Sequence, residues 1–213
     1  MIGRIGHRSR IACATGLALV LAVCGRVAAG EPVATSGVYG SLTLAVNGKS
    51  VAGVFSEGRG EPGPGGAAPF SCIFLMRGSL VGSRAEIETW FPGEPERIPG
   101  TLAFTPEGAA LTLAEDHGGC MMATGTMVGK PFDLGRGRLQ PTENWLAVGL
   151  VTTKRAVLRP EPGPAPKRGP YLVEYDPVAL LERRDGWVRA RYLGGTKTVS
   201  GWLPADDLVV VAP

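Results

Sequence analysis

The residues able to do chemistry form a few small groups. His117 is the sole histidine after residue 29, and it stands three positions before Cys120 in His117-Gly118-Gly119-Cys120. A histidine beside a cysteine is the pairing of a thiol nucleophile with its base, or of two metal ligands. A structural zinc site wants four ligands, and only Cys72 could be added here, so no metal is expected. A serine triad would also have to recruit His117, with no G-x-S-x-G elbow to present the serine. Glu86, Glu88 and Trp90 alternate along one stretch, so two carboxylates and an indole share a strand face. Residues two apart on a strand lie about 7 Å from each other, a separation glycosidase carboxylates use. Acid–base work, however, needs one carboxyl raised by burial, and this face reads as the solvated side opposite Ala85, Ile87, Thr89 and Phe91. No catalytic residue, no cofactor and no enzymatic activity are expected. Trp187, Arg189 and Arg191 also share a face, an indole beside two guanidinium groups, suited to stacking and to anion contact. The same pattern fits a half-buried packing tryptophan with solubilising arginines. These residues are taken as the candidate binding site, and Trp202 as core.

The element that must position this face is the end of the chain. Residues 185–192 read Asp-Gly-Trp-Val-Arg-Ala-Arg-Tyr, with Val188, Ala190 and Tyr192 pointing opposite to Trp187, Arg189 and Arg191. A Gly194-Gly195 turn follows, then a second Gly-Trp strand, Gly201-Trp202-Leu203, closing on Asp206-Asp207-Leu208. Two Gly-Trp strands joined by a glycine hairpin resemble the last half of a bacterial SH3-like domain, over roughly residues 154–211. The resemblance implies a small barrel that binds cell-wall material or an envelope protein. Where such domains carry an asparagine-valine-arginine-serine-glycine-proline run, this chain has Ala156-Val157-Leu158-Arg159-Pro160-Glu161-Pro162-Gly163. The Pro-rich 159–170 is read as the long loop after the first strand of this domain, which spans 143–213. A segment starting near Glu143 is expected to fold alone, with marginal stability at about 70 residues.

Upstream, short strands recur at 8–12-residue spacing with no helical repeat of useful length. Residues 38–46 alternate Val38, Leu42, Leu44 and Val46 against Tyr39, Ser41, Thr43 and Ala45. Asn47-Gly48 is a strong two-residue hairpin signal, because both central residues of a type I′ turn need positive φ. Residues 57–69, rich in Gly and Pro, read as a loop. Phe70, Cys72, Phe74 and Met76 share one face of the most apolar strand; Thr105-Pro106-Glu107-Gly108 marks another hairpin, and 120–128 reads as a strand. The expected class is all-β: an antiparallel barrel or sandwich over 30–142, followed by the small SH3-like barrel. The first part is similar to small exported lipocalin-like β-barrels, since closure removes unpaired edges.

Residues 1–29 read as an export signal, with Arg4, Arg8 and Arg10 ahead of an apolar run at 11–23 and small residues at Val27-Ala28-Ala29. Leu21-Ala22-Val23-Cys24 approximates a lipid-attachment signal, although the residue before the cysteine is normally small. Removing 1–29 leaves 18 of the 22 bases against all 19 acids, a net charge of −1. The overall basicity therefore belongs to the leader, and a nucleic-acid partner loses its support. The remaining charge is split: 30–153 carries 8 bases and 12 acids, 154–213 carries 10 bases and 7 acids. Cys13 and Cys24 go with the leader, so Cys72 and Cys120 form an isolated even pair, read as one disulfide in an exported chain. The reading is a periplasmic or secreted protein with no membrane span after cleavage. Its partner would be cell-wall glycan or peptide, or an envelope protein. The alternative is an inhibitor or immunity protein whose acidic first part blocks a basic, lysozyme-like wall-degrading enzyme.

Overall fold

The computed structural model describes residues 32–61, 68–140, 143–194 and 198–213. Residues 1–29, where an export signal is expected, positions 62–67 of the Gly/Pro loop, Pro141, Thr142 and Gly195 lie outside the described residues. Among the described residues no helix is long and apolar enough to cross a membrane.

Strands β1 (Gly37–Tyr39), β2 (Leu42–Asn47), β3 (Ser50–Arg59), β4 (Phe70–Val81), β5 (Arg84–Trp90), β6 (Ile98–Thr105), β7 (Gly108–Leu113) and β8 (Phe132–Leu139) pair antiparallel in sequence order. β1 pairs back to β8 and closes the barrel, so the choice between barrel and sandwich falls to the barrel. Its interior is filled by the alternate residues of each strand, among them Leu42, Leu44, Val51, Phe55, Phe74, Met76, Leu102 and Leu111. Phe55 and Phe74 stack at 4.6 Å between ring centres. Small and large positions alternate across the lumen: a Cβ on Gly53 would meet Met76 Cγ at 2.8 Å and Leu42 Cδ1 at 2.9 Å.

Two local expectations shift by one residue. Tyr39, not Val38, joins Leu42 and Leu44 inside, because a turn at Gly40 (φ 52°) interrupts the alternation. The β2–β3 hairpin forms, but Asn47 is the last paired residue, opposite Ser50, and of Asn47-Gly48 only Gly48 has positive φ. The pair with both values positive is Asp185 (44°) and Gly186 (79°), the two-residue turn that type I′ geometry requires.

The expected strand at 120–128 is instead a single helical turn, α1 (Cys120–Thr124), flanked by Gly119 and Gly125 at positive φ. Cys120 is disulfide-bonded to Cys72 of β4. The bond ties α1 to the barrel, and Cys120, Ala123 and Met127 fill that end of the core.

The second part begins with β9 (Ala147–Val151) and a hairpin of β10 (Ala156–Val157) and β11 (Tyr171–Leu172). It continues with β12 (Pro177–Arg184), β13 (Trp187–Tyr192), β14 (Val199–Pro204), a 3₁₀ turn (Ala205–Asp207) and β15 (Leu208–Val211). Five strands form one sheet in the order β14-β13-β12-β9-β15. Arg159, just past β10, exchanges two backbone hydrogen bonds with Trp202 of β14. The loop 159–170 thus leaves from the free edge of β14 and returns to β11.

One core lies within this second part, from Ala147 and Val151 to Val188, Ala190 and Leu203. Another crosses from the barrel to the sheet: Ala45, Ala52, Val54, Ile73 and Leu75 face outward from β2–β4 onto Trp145, Val148, Leu150, Ala179 and Val211. The proposed boundary at 142/143 falls between β8 and β9 in the chain, but packing runs across it. All described residues from Pro32 onward lie within one compact unit, Glu31–Pro213.

Candidate binding face

Cross-strand register decides which side chains share the outer face of the second sheet. Arg184 lies opposite Trp187, Glu182 opposite Arg189, and Arg189 opposite Trp202. Directly opposed residues point to the same side, so β12, β13 and β14 together present Glu182, Arg184, Trp187, Arg189, Arg191, Ser200 and Trp202. Val188 and Ala190 are fully buried on the other side, as the alternation predicts.

Within this face the guanidinium groups and indoles pair in a way the sequence did not announce. Arg159 lies over Trp187 at 4.5 Å from its ring centre, and Arg184 over Trp202 at 4.8 Å. Arg159 is carried here by its backbone pairing with Trp202 at the edge of β14, and its Nη1 donates to the Gly163 carbonyl at 2.7 Å. Its Nε is buried with no hydrogen-bond partner among the described residues. Trp202 is 4% exposed, but it lies on the outer face beneath Arg184 and in none of the hydrophobic cores; Trp187 is half-buried and Arg189 exposed. A shallow cleft of about 260 Å³ lies here, lined by Pro160, Glu161, Arg184, Arg189, Ser200 and Trp202.

Arg191 has a different task. Its guanidinium pairs with the Glu143 carboxylate, and its Nε donates to Ser200 Oγ at 3.2 Å. Glu143 also accepts from Trp145 Nε1 at 3.1 Å. Burial works to raise the Glu143 carboxyl, but the hydrogen bonds from Trp145 and Arg191 and the guanidinium charge hold it below its ordinary value. Arg191 therefore clasps the start of the second part against β13, while Arg184 pairs with Glu182 at 3.1 Å and Arg189 is exposed.

Comparison with protein-family models, curated proteins and solved structures finds no match.

The other candidates resolve by geometry. Cys120 is consumed in the disulfide, so it offers neither thiolate nor metal ligand. Glu86 and Glu88 stand on the solvent side of β5, paired with Arg84 and Arg77, and their side chains are 73% and 55% exposed. Ala85, Ile87 and Thr89 fill the opposite, buried side. His117 is 8% exposed, stacks on Phe74 at 4.7 Å, and its Nε2 lies 2.8 Å from Thr89 Oγ1. Burial lowers its pKa below the ordinary value, against smaller upward pulls from Glu96 and Asp116.

Sequence reading missed Arg159 and Arg184 because strand register, not spacing along one strand, brings them to the indoles. A basic residue at the start of the Pro-rich loop, Arg159, was the one local hint.

Proposed function

We propose that this chain is an exported, non-enzymatic binding protein of the cell envelope, whose C-terminal part is an SH3-like module. Strand order supports the module: β15-β9-β12-β13-β14 with a long hairpin loop between the first two strands in sequence and a 3₁₀ turn before the last. The disulfide is compatible with the oxidising compartment that the leader at 1–29 implies. On this reading the leader is removed, no membrane span remains, and nucleic acid is not a partner.

The observation that carries the functional part is the pair of guanidinium–indole stacks, Arg159 on Trp187 and Arg184 on Trp202, flanking exposed Arg189. A half-buried Trp187 indole beside fixed positive charge suits an anionic, ring-bearing ligand such as cell-wall glycan with its acidic peptide. Individual exposed contacts of this kind contribute about 0.5–1 kcal/mol, so affinity is weak and falls as salt rises.

The test is retention on purified sacculi. Arg184→Gln with Arg189→Gln should lower retention roughly tenfold, the consequence of losing about 1.4 kcal/mol, with an unchanged melting temperature. Parental binding by this double variant would sink the assignment.

A further inference from the structure

The hairpin of β10 and β11 carries a surface that this reading does not use. Its two strands form a sheet of their own, with Ala156 opposite Leu172 and Val157 opposite Tyr171. Ala156, Leu158 and Leu172 are buried in the core of the second part. The alternate residues therefore stand on the outer side: Arg155 and Val157 along one strand, Tyr171 and Val173 along its partner. Tyr171 stays 49% exposed and Val173 46%.

Basic groups bracket this apolar strip. Arg155 lays its guanidinium over the Tyr171 ring at 4.1 Å from the ring centre. Lys154 and Arg155 stand at the open end of the hairpin, Lys167 and Arg168 at its loop end, and all four are exposed. Among the described residues none of the four has an ion pair. Glu174, in the turn after β11, is the exposed acid nearest to the strip in sequence.

That turn is the independent sign of a function. Among the described residues only Tyr175 (70°) and Asp185 (44°) combine a side chain other than glycine's with positive φ. Aspartate tolerates left-handed backbone, whereas a bulky tyrosine is strained there. Three hydrogen bonds impose the strain. The Tyr175 amide donates to the Val151 carbonyl at 2.8 Å, and the Asp176 amide to the Val173 carbonyl at 3.1 Å. The Val173 amide donates to Asp176 Oδ2 at 2.8 Å. Glycine would sit here without strain, yet the position holds an aromatic ring that remains 40% exposed.

Charge sets the sign of the partner, and the exposed apolar groups set its kind. Unpaired bases call for an anion. Val173 and two phenol rings gain little from a dissolved polyanion, but they gain from an apolar medium. Tyrosines with bases alongside settle at a lipid interface, rings towards the acyl chains and charges among the phosphates. We infer that this hairpin and its turn rest on an anionic phospholipid surface. Tyr171, Val173 and Tyr175 enter the headgroup layer, and the four bases meet lipid phosphates.

The chain from Gly30 onward serves for the test, because it holds the whole compact unit Glu31–Pro213. It also lacks the apolar run at 11–23, which would bind lipid itself. It is sedimented with vesicles of phosphatidylcholine, alone or mixed with phosphatidylglycerol, and titrated separately with soluble polyphosphate. Binding should require phosphatidylglycerol and weaken as salt rises. Lys154→Gln with Arg155→Gln should lower the partition coefficient about tenfold or more, and Glu174→Gln should raise it about threefold. Tyr175→Gly should lower it severalfold while the melting temperature holds or rises, because glycine releases the strain. Retention on sacculi should stay unchanged in all three variants. Equal binding to both kinds of vesicle would overturn the inference, as would vesicle binding that ignores the double substitution or Tyr175→Gly. A lowered melting temperature in Tyr175→Gly would also overturn it, since the ring would then serve packing. So would polyphosphate binding that falls by the same factor in Tyr175→Gly, for the ring would then serve a dissolved anion.

Discussion

The barrel has two walls that differ in what covers them. β5 alternates strictly, Ala85, Ile87 and Thr89 inward against exposed Arg84, Glu86 and Glu88 outward. β2–β4 do not: residues 51–55 of β3 and 72–76 of β4 are buried without a break. An antiparallel strand facing water on one side alternates, whereas one buried on both sides reads as a continuous apolar run. The second sheet lies on that double-sided wall. Its basic–aromatic face is therefore mounted on the barrel through Trp145, Val148 and Val211, not tethered beside it.

The sharpest break of this contrast is a charge placed on each wall. Val54 is fully buried on the outward side of β3, so Val54→Asp strands an unpaired carboxylate between barrel and sheet. It should cost more than about 4 kcal/mol and abolish both units in one urea transition. Glu88→Ala on the solvated wall should change stability by no more than about 0.5 kcal/mol. Near-equal effects would show that the shared core is not formed.

Next comes truncation from the other side. Trp145→Ala removes a fully buried indole from the joint and should cost about 3–5 kcal/mol. A piece beginning at Glu143 bares the same surface, so it should unfold without cooperativity, against the expectation of independent folding. A sharp transition in that piece would restore the two-domain view. Replacing both Cys72 and Cys120 by Ser should cost about 4 kcal/mol on the chain-entropy account, since the bond spans 48 residues. The loss should fall on the α1 end of the barrel, seen as faster amide exchange there, with β12–β14 little changed.

Much of the barrel was legible because its signals are local. Alternation in β5, Gly-bearing hairpins and an isolated cysteine pair each speak within a few residues. The double-sided wall was partly visible too, but its outward positions include Ala45 and Ala52, which weigh little on any hydrophobic pattern. The helical turn at Cys120–Thr124 was not legible: the short apolar run Cys120-Met121-Met122-Ala123 has no period of its own, and a disulfide and two positive-φ glycines decide its shape. Arg159 reached Trp187 only through its pairing with β14.

The smallest effect expected is a pair of pH-dependent losses that separate barrel from joint. His117 has its folded pKa depressed below the ordinary 6.5, mainly by burial. The unfolded chain then binds more protons than the folded one, so stability is full above 6.5 and falls as pH drops from there through the folded value. Glu143 is also depressed, below its ordinary 4.5, by Trp145 and Arg191 acting against burial. Its contribution is present above 4.5 and is lost only as pH falls further, through its folded value. An acid titration should therefore loosen the barrel end first and the joint second. His117→Gln should erase the first loss, and Arg191→Gln should shrink the second by no more than about 1 kcal/mol, the range of partly exposed ion pairs. Urea unfolding from pH 7 to pH 3 reads both. If Arg191→Gln flattened the loss near pH 6 instead, the clasp on Glu143 would not be the group that titrates at the joint.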